Sequence, residues 1–458
     1  MSSTANPPIV GLKLLAFCVP LSGVAWSRYQ NFLLLDAGYS PTTLGILKTS
    51  GYFAKIIFSP VWAVIGDMFS PLWLLAASYV AAGLSLELVR QCLLRNWPFF
   101  ILLVIKTIRS AVNCIGPVTE SIMFSATRNR KDGETFGKQR MISSVAWGGG
   151  SLFVGFVIDT FGLYSIFPYT YIMIGVALIL LFYLSRYDGY DNNSQFQQKQ
   201  EHQQDKQDLE DQEQKHEIIS VTNSAASKRH HSAASIASTA STATTATTAT
   251  TATSTATDVI QSLKEILLHP QMSRVAYQIV LTGFVMTLVD TVMPLQLESE
   301  FRTSRVFNGL CTWISIISSI PVYWFGKKMH DQHGAFWMFR VAQATYSVRL
   351  MGMVVISATG LHSVMQYVFL CLLQLLHGIT FALVWIAATH KLNAMNTSKR
   401  KVTTSASTLV STLYFTIGQG FGNIFWMYCY ERLQHNCAVL YFAGWCFLML
   451  NKFLRYEV

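Results

Sequence analysis

Residues 97–127 read WPFFILLVIKTIRSAVNCIGPVTESIMFSAT, a stretch that is long and apolar enough to cross a lipid bilayer as one helix. Yet it carries Lys106, Arg109, Asn113 and Glu120. At about 100° per residue Arg109, Asn113 and Glu120 lie close to one stripe, and Pro117 within that stripe predicts a bend. Because charges at membrane depth are costly unless a cavity or a partner receives them, the stretch predicts one wall of a polar pathway. The alternative is that Lys106 and Arg109 form ion pairs that only hold helices together.

The whole chain has the composition of a polytopic membrane protein. Of its 458 residues 51% are hydrophobic and only 13% are charged, against about 25% charged residues in soluble domains. The net charge of +10 does not indicate nucleic-acid binding, because the basic residues cluster in short connections between apolar spans. The 8 cysteines show no metal-ligand spacing, and neither a catalytic triad nor a nucleotide-binding motif is visible. The sequence therefore indicates no enzyme, no ATP-driven pump, no metal and no cofactor.

Hydropathy predicts about twelve spans in two groups of six. The first group lies near residues 12–35, 42–68, 72–94, 97–127, 139–160 and 163–185. The second lies near residues 272–297, 304–325, 335–358, 362–390, 401–428 and 437–454. The predicted fold class is an all-α membrane protein with twelve transmembrane helices in two six-helix bundles, one in residues 1–186 and one in residues 258–458.

A different kind of sequence separates the two groups. Residues 187–257 are first rich in Gln, Asp, Glu and Lys and then form a Ser/Ala/Thr repeat, which lacks the apolar content for a packed core. We expect a disordered linker that is available to cytosolic partners. Residues 259–269 predict a short amphipathic helix on the membrane surface, just before Pro270.

The placement of basic residues predicts the orientation of the chain. Lys and Arg cluster in the connections after the fourth, eighth and tenth spans, which fall on one side if the spans alternate. By the positive-inside rule that side is the cytosol, and it also holds the linker and both termini. The two groups echo each other weakly, since PVW at 60–62 matches PVY at 321–323 near the inner ends of the second and eighth spans. Such a match at corresponding places indicates a parallel structural repeat.

Three further stretches carry a family resemblance. They are LGILKTSGYFAKIIFSPVWAVIGD at 44–67, FGKQRMISSVAWGGGSLFVGFVID at 136–159 and LLHGITFALVWIAATH at 375–390. The chain resembles the major facilitator superfamily, and within it the lactose-permease-like and nucleoside-symporter-like branch (the major facilitator superfamily associated domain). The resemblance implies two six-helix bundles that rock around a central cavity. It does not identify a substrate, because this fold hosts many solutes.

The chain departs from the superfamily's inner-loop signature. Ala63 takes the position of the expected Gly, and Asp67 is kept. The usual basic and Gly positions after it hold Met68, Ser70 and Pro71. We therefore expect Asp67 to pair with Lys138 or Arg140 at the start of the fifth span, as an inner gate.

The candidate solute site collects polar and aromatic residues that lie at similar depth in the spans. They are Arg28, Lys55, Arg109, Asn113, Asp290, Gln374, His377 and Trp385. This mixture of polar anchors and aromatic surface suits a small solute. His377 has the alternative of a hydrogen-bonded core histidine, and Trp385 that of simple packing. Cations outnumber anions in the set, which favours an anionic or strongly hydrogen-bonding solute, while neutral sugars and nucleosides stay open.

The function predicted from these features is secondary active transport of a small polar solute, with protons as the coupling ion. Glu120 is the predicted proton-coupling residue, because a carboxylate in a partly dry site has a raised pKa. The alternative role for Glu120 is a fixed salt bridge to Lys138 or Arg140. The alternative function is a receptor or scaffold that kept the fold without transporting, although such a protein gains little from charges within the bilayer.

Overall fold

The described part of the chain is helical throughout. The structure is a computed structural model that describes residues 9–68, 70–116, 118–119, 122–123, 136–186, 270–359, 364–399, 410–433 and 436–453. These ranges contain helices, turns and short connections but no β-strand. The predicted linker, the predicted amphipathic helix at 259–269, Pro117 and Glu120 lie outside the described residues.

The first group of helices, here the N-terminal helices, follows the predicted spans closely. They are α1 (Ile9–Asp36), α2 (Pro41–Met68), α3 (Pro71–Leu94), α4 (Phe99–Val112), α5 (Phe136–Phe161) and α6 (Ile166–Ser185), with a short 3₁₀ turn at Leu163–Ser165. Pro71 begins α3, where proline is favoured because its missing N–H would have no partner in the first turn.

The second group, here the C-terminal helices, contains two π-helical segments. It comprises α7 (Pro270–Thr287), a π turn at Leu288–Val292, α8 (Met293–Ser299), α9 (Arg305–Thr359), α10 (Val364–Lys399), a π segment at Thr412–Gln419, α11 (Gly420–Arg432) and α12 (Cys437–Phe453). π turns are rare and occur often at functional sites. Hydropathy does not predict them, because they change neither the length nor the apolar content of a span.

The predicted break between the eighth and ninth spans lies at Gly334, and the connection is shorter than expected. α9 runs from Arg305 to Thr359, but two helices meet within it at Gly334, where φ is 76° and ψ is 166°. Glycine reaches this left-handed region without a steric penalty. A straight helix of 55 residues would be about 80 Å long, far more than a bilayer's thickness, so the kink divides α9 into two segments that are each long enough to cross once.

The prediction that residues 97–127 form one continuous helix is also wrong. α4 ends at Val112, because Asn113 has an extended backbone with ψ of 90°. Side chains from neighbouring helices bind the backbone groups that the break releases. Trp62 donates to the carbonyl of Ala111 (2.5 Å), and Ser78 both donates to the carbonyl of Val112 and accepts from the amide of Cys114, each at 3.2 Å. An interrupted helix at membrane depth needs such partners, since lipid offers none.

Seven helices of the described residues are long and apolar enough to cross a membrane. Many large apolar side chains on these helices are exposed in the isolated chain. Examples are Leu84, Ile172, Ile179, Trp324 and Val364. So much exposed apolar surface is typical of a protein that is solvated by lipid.

The buried apolar residues form two clusters that differ in which helices they join. We call the end of the molecule at which α1 ends and α2 begins the distal end, and the opposite end the proximal end. The larger cluster joins residues of the C-terminal helices to the distal parts of the N-terminal helices, such as Leu33, Leu44 and Ile158. The smaller cluster contains only proximal parts of the N-terminal helices, such as Leu12, Leu75 and Leu181. The two groups of helices therefore share one apolar core at the distal end, while the proximal ends of the N-terminal helices have a core of their own.

Candidate functional site

Asp290 lies at the centre of the polar groups between the two groups of helices. It sits in the π turn after α7, with its side chain 36% exposed, and its Oδ2 accepts a hydrogen bond of 2.7 Å from Gln419. The Nε2 atom of His377 on α10 lies 3.6 Å from its Oδ1. Gln419 ends the second π segment, so the two π segments of the C-terminal helices meet at this carboxylate. A half-buried carboxylate with two polar neighbours can bind a polar solute or a proton.

Helix α2 reaches this centre from the N-terminal helices. The hydroxyl of Tyr52 donates to Oε1 of Gln419 at 3.1 Å. Lys48 donates to the hydroxyl of Thr291 at 3.1 Å, and Thr291 donates to Oδ1 of Asn423 at 3.0 Å. This chain of hydrogen bonds crosses the boundary between the two groups of helices, so any change in their separation acts on the partners of Asp290.

Two predicted pathway cations contact other N-terminal helices. Lys106 is buried, donates to the side chain of Gln30 and lies 4.8 Å from the ring centroid of Trp26. Arg109 donates to the carbonyl of Ala82 on α3 and lies 5.4 Å from the same ring. Among the described residues, the contacts of these two cations are hydrogen bonds to neutral acceptors and cation–π contacts, and no ion pair of the alternative interpretation is seen there.

The remaining predicted residues of the N-terminal helices have different surroundings. Lys55 is exposed. Arg28 donates to Oδ1 of Asn308 at 3.3 Å, across the boundary between the two groups of helices. Asn113 sits at the break after α4, and its Oδ1 accepts from the backbone amide of Ile115 at 3.3 Å. Its side chain therefore helps to shape the interrupted helix.

Gln374 is buried with a guanidinium group instead of facing the centre. Its side chain is 2% exposed, and its Oε1 accepts from Nη2 of Arg349 at 2.7 Å and from the hydroxyl of Ser315 at 3.1 Å. Arg349 is completely buried, and it also donates to the sulfur of Met293 at 3.7 Å. Gln374 thus binds a buried cation within the C-terminal helices.

Trp385 belongs to an aromatic group on the proximal side of His377. Its ring is stacked on Phe381 with centroids 5.7 Å apart, and Phe415 lies at 6.0 Å. Tyr414 packs edge-on against both phenylalanines, at 5.7 and 4.9 Å. The group contributes aromatic surface one to two helical turns from His377.

Close backbone contacts join the two groups of helices at the distal end, between α5 and α9 and between α2 and α11. A Cβ atom on Gly309 would lie 2.5 Å from the carbonyl oxygen of Ser151, and one on Gly155 would lie 2.5 Å from that of Arg305. Likewise, a Cβ atom on Gly45 would lie 2.6 Å from the carbonyl oxygen of Asn423. Only glycine fits such contacts, because any side chain would hold the helices apart.

Polar contacts accompany these glycines. The carboxylate of Asp159 accepts from the backbone amides of Arg305 (3.2 Å) and Val306 (3.0 Å), while the guanidinium of Arg305 pairs with Glu298. The backbone amide of Thr42 donates to Oε2 of Glu431 at 2.9 Å. Among the residues that the structure describes, the hydrogen bonds between the two groups of helices lie at the distal end or at the depth of Asp290. The distal end is therefore closed in this structure.

The predicted inner gate and the predicted coupling residue have no described side-chain geometry. Asp67 lies in α2, and Lys138 and Arg140 lie in α5, but nothing can be said of their side chains. Glu120 lies outside the described residues. Among the residues that are described, no group of three or more His, Cys, Asp and Glu side chains is arranged to hold a metal ion.

Sequence reasoning missed most of the residues in the hydrogen-bond network around Asp290, of which Gln419 binds Asp290 directly. These are Lys48, Tyr52, Thr291, Gln419 and Asn423. Amide side chains within an apolar span, as in residues 410–428, could have indicated these residues. An amide without a hydrogen-bond partner would be costly there, so each amide predicts a polar neighbour.

Comparisons with known proteins agree with this geometry. A family profile described as "MFS_1 like family" matches residues 21–440. The crystal structure of the nucleoside transporter NupG is similar to this chain with a TM-score of 0.68 at 11% identity, covering 98% of this chain and 99% of NupG. A single-residue mutant of NupG gives a TM-score of 0.66 at 12% identity, covering 97% and 98% of the two chains. No curated protein sequence matches the chain. At such low identity the structural likeness shows the fold alone.

Proposed function

The chain belongs to the MFS_1 like family and is a multi-pass membrane protein with the fold of a transporter, and we propose that it carries a small polar solute by alternating access. In this proposal, residues 1–186 and 258–458 form two bundles of six transmembrane helices each. The bundles rock about the polar centre at Asp290, and residues 187–257 connect them without a direct role in transport.

The environment of Asp290 is the observation that carries the proposal. A partly exposed carboxylate lies between the two groups of helices, beside His377 and Gln419. Polar anchors for orientation and aromatic surface nearby, here Phe381 and Trp385, are the features of small-molecule sites. A scaffold without transport would gain little from a carboxylate at this depth.

The closed distal end supports the alternating-access part of the proposal. The two groups of helices share an apolar core there, whereas in the described part of the chain the proximal ends of the N-terminal helices form a separate apolar cluster. This is the arrangement expected of a carrier that opens at its proximal end. With both termini and the linker in the cytosol, as the basic connections predict, the structure corresponds to the inward-facing state.

Two observations bear on the class of solute, the charges near the middle of the spans and the similarity to solved transporter structures. The excess of cations near the middle of the spans favours an anionic solute, yet Lys106 and Arg109 are bound to neutral acceptors of their own bundle. Neutral solutes that form many hydrogen bonds therefore fit Asp290 and Gln419 equally well. Because the two similar structures are those of a nucleoside transporter, nucleosides should be tested first, followed by sugars and small carboxylates.

Proton coupling requires a carboxylate whose surroundings differ between the two states. Glu120 remains our proposed coupling residue from the sequence. Asp290 is a second candidate, because its neighbours Gln419 and His377 belong to its own bundle, whereas Lys48 of the other bundle binds Thr291, the next residue in the chain. Rocking would change the second set of contacts and leave the first intact.

The test uses the purified full-length chain in liposomes. A panel of solutes is first screened by thermal stabilisation, since a ligand that binds the folded state raises its melting temperature. Uptake of any hit is then measured with and without a proton gradient for the wild type, Asp290→Asn and Glu120→Gln, with Asp331→Asn on exposed α9 surface as the matched control.

Asp290→Asn should abolish uptake with an unchanged melting temperature, and Asp331→Asn should behave as the wild type. A coupling carboxylate predicts that its amide variant loses proton-driven accumulation but keeps solute exchange. Normal uptake by Asp290→Asn would overturn the proposed site. Failure of the wild type to transport any stabilising solute would favour a receptor instead.

A further inference from the structure

Two carboxylates at the distal end bind backbone amides of the opposite group of helices. Asp159 lies near the end of α5, and its two oxygens accept from the amides of Arg305 and Val306, which begin α9, at 3.2 and 3.0 Å. Glu431 lies at the end of α11, and its Oε2 accepts at 2.9 Å from the amide of Thr42 in the first turn of α2. In both cases the end of one helix caps the beginning of another.

The two contacts occupy equivalent places in the two halves of the chain. Helix α2 is the second span of the first half, and α9 begins the second span of the second half. The matching PVW and PVY motifs at 60–62 and 321–323 lie in these same helices. Helices α5 and α11 are likewise the fifth span of each half. A parallel repeat relates such spans by a two-fold axis along the membrane normal, so one operation exchanges the two contacts.

Each contact is made by groups that need a partner only when the distal end is closed. The first N–H groups of a helix have no acceptor within that helix, and the helix dipole makes them favourable partners for a carboxylate. Arg305 does not compete for Asp159, because its guanidinium pairs with Glu298 on its own side. When the ends separate, water at the membrane surface can replace both partners, so the bonds can be exchanged during a transport cycle without leaving a buried charge.

The glycine contacts lie directly beneath these caps. Gly309 and Gly155 allow α5 and α9 to touch next to Asp159, and Gly45 allows α2 and α11 to touch about one turn along α2 from Thr42, the residue that Glu431 caps. Each helix pair therefore combines a glycine contact with a carboxylate cap at its distal tip. A small rotation of one group of helices would break both pairs at once.

We propose that Asp159 and Glu431 are paired gate residues that hold the distal end closed. The inference rests on the proposed rocking of two bundles, because only rigid movement of the halves couples two contacts that do not touch each other. Loss of either carboxylate then loosens both helix pairs, not just the pair that it caps.

Hydrogen–deuterium exchange on the purified full-length chain in lipid nanodiscs tests this directly and needs no known solute. The variants are Asp159→Ala and Glu431→Ala, with Asp159→Asn and Glu431→Gln as milder changes in case an alanine variant folds poorly. The control is Asp36→Asn, which removes an exposed carboxylate at the same end of the molecule. Peptides that cover residues 40–50 and 304–312 report on the two caps separately.

Each alanine variant should raise exchange about tenfold in both peptides, the factor that corresponds to about 1.4 kcal/mol. The control should leave both unchanged. Faster exchange only in the peptide from the helix end that the mutated residue caps would show that the two caps are independent, and it would overturn the inference. No change in either peptide would also overturn it. If both peptides respond together in a protein that transports no solute, the paired gate stands and the proposed function fails. If uptake is normal and the peptides do not respond, the proposed function stands and the paired gate fails.

Discussion

Replacing Gly309 by alanine should open the distal end without unfolding the protein. The added Cβ atom would lie 2.5 Å from the carbonyl oxygen of Ser151 and 2.7 Å from the Cα atom of Leu152. Both are backbone atoms of α5 and cannot rotate away. Since an ordinary C···O contact is about 3.3–3.6 Å, α5 and α9 must separate by roughly 1 Å.

The cost of this overpacking falls on one state of the carrier. Overpacking costs typically about 1–3 kcal/mol, and Gly309 and Ser151 belong to opposite groups of helices, so the clash exists only when the distal end is closed. Alanine also has a higher helix propensity than glycine by about 1 kcal/mol, but this gain applies to both states and cancels between them. The ratio of closed to open molecules should therefore fall by about 5- to 150-fold.

Hydrogen exchange at the distal end, measured together with the melting temperature, checks this prediction. Gly149→Ala is the matched control on α5, because nothing lies within 4 Å of its added Cβ atom. Gly378→Ala is a second control, in which the Cβ atom would lie 1.8 Å from the carbonyl oxygen of Ser315 within the C-terminal helices. That clash is present in both states, so it should lower the melting temperature. If Gly309→Ala also lowers the melting temperature and leaves hydrogen exchange at the distal end unchanged, the claim that its clash exists only in the closed state is refuted.

Two further substitutions test how the polar interior is held together. Ser78→Ala removes the partner of both Val112 and Cys114 at the break in α4, which should cost about 1–3 kcal/mol of unfolding free energy, while Ser78→Thr should restore most of it in a denaturation experiment. Gln374→Leu removes the shortest hydrogen bond of the buried Arg349 and should cost about 1.5–3 kcal/mol, whereas the double variant with Arg349→Met should recover part of the loss in thermal unfolding. Additive losses in that double variant would contradict the pairing.

The membrane spans were predictable because bilayer thickness sets their length and apolar content. Helix α3 begins and ends within one residue of the predicted span, and α2 does the same. The errors lie where a local backbone conformation departs from the α-helix inside an apolar span, as at Asn113 and at the π turn Leu288–Val292. Hydropathy cannot detect these changes, because they alter neither the length nor the apolar character of the span.

The candidate site was predictable in depth but not in partners. The sequence placed Asp290 and His377 at similar depth, and their side chains lie 3.6 Å apart. Depth alone did not show that Gln374 turns towards Arg349, because that requires knowing how α9 packs against α10. The caps on α2 and α9 have no signature in the sequence either, since the partners of Asp159 and Glu431 are backbone amides that every residue except proline carries.

The π turn at Leu288–Val292 has a consequence for how related chains should be aligned. Its hydrogen bonds join residues five positions apart, as from the amide of Met293 to the carbonyl of Leu288, so the turn holds one residue more than an α-helix would. Deleting one residue here would restore the α-helical pitch while every side chain beyond Met293 kept its face. A relative that lacks the turn therefore aligns correctly only with a gap inside the transmembrane helix, and a gapless alignment would rotate all of α8 by about 100°.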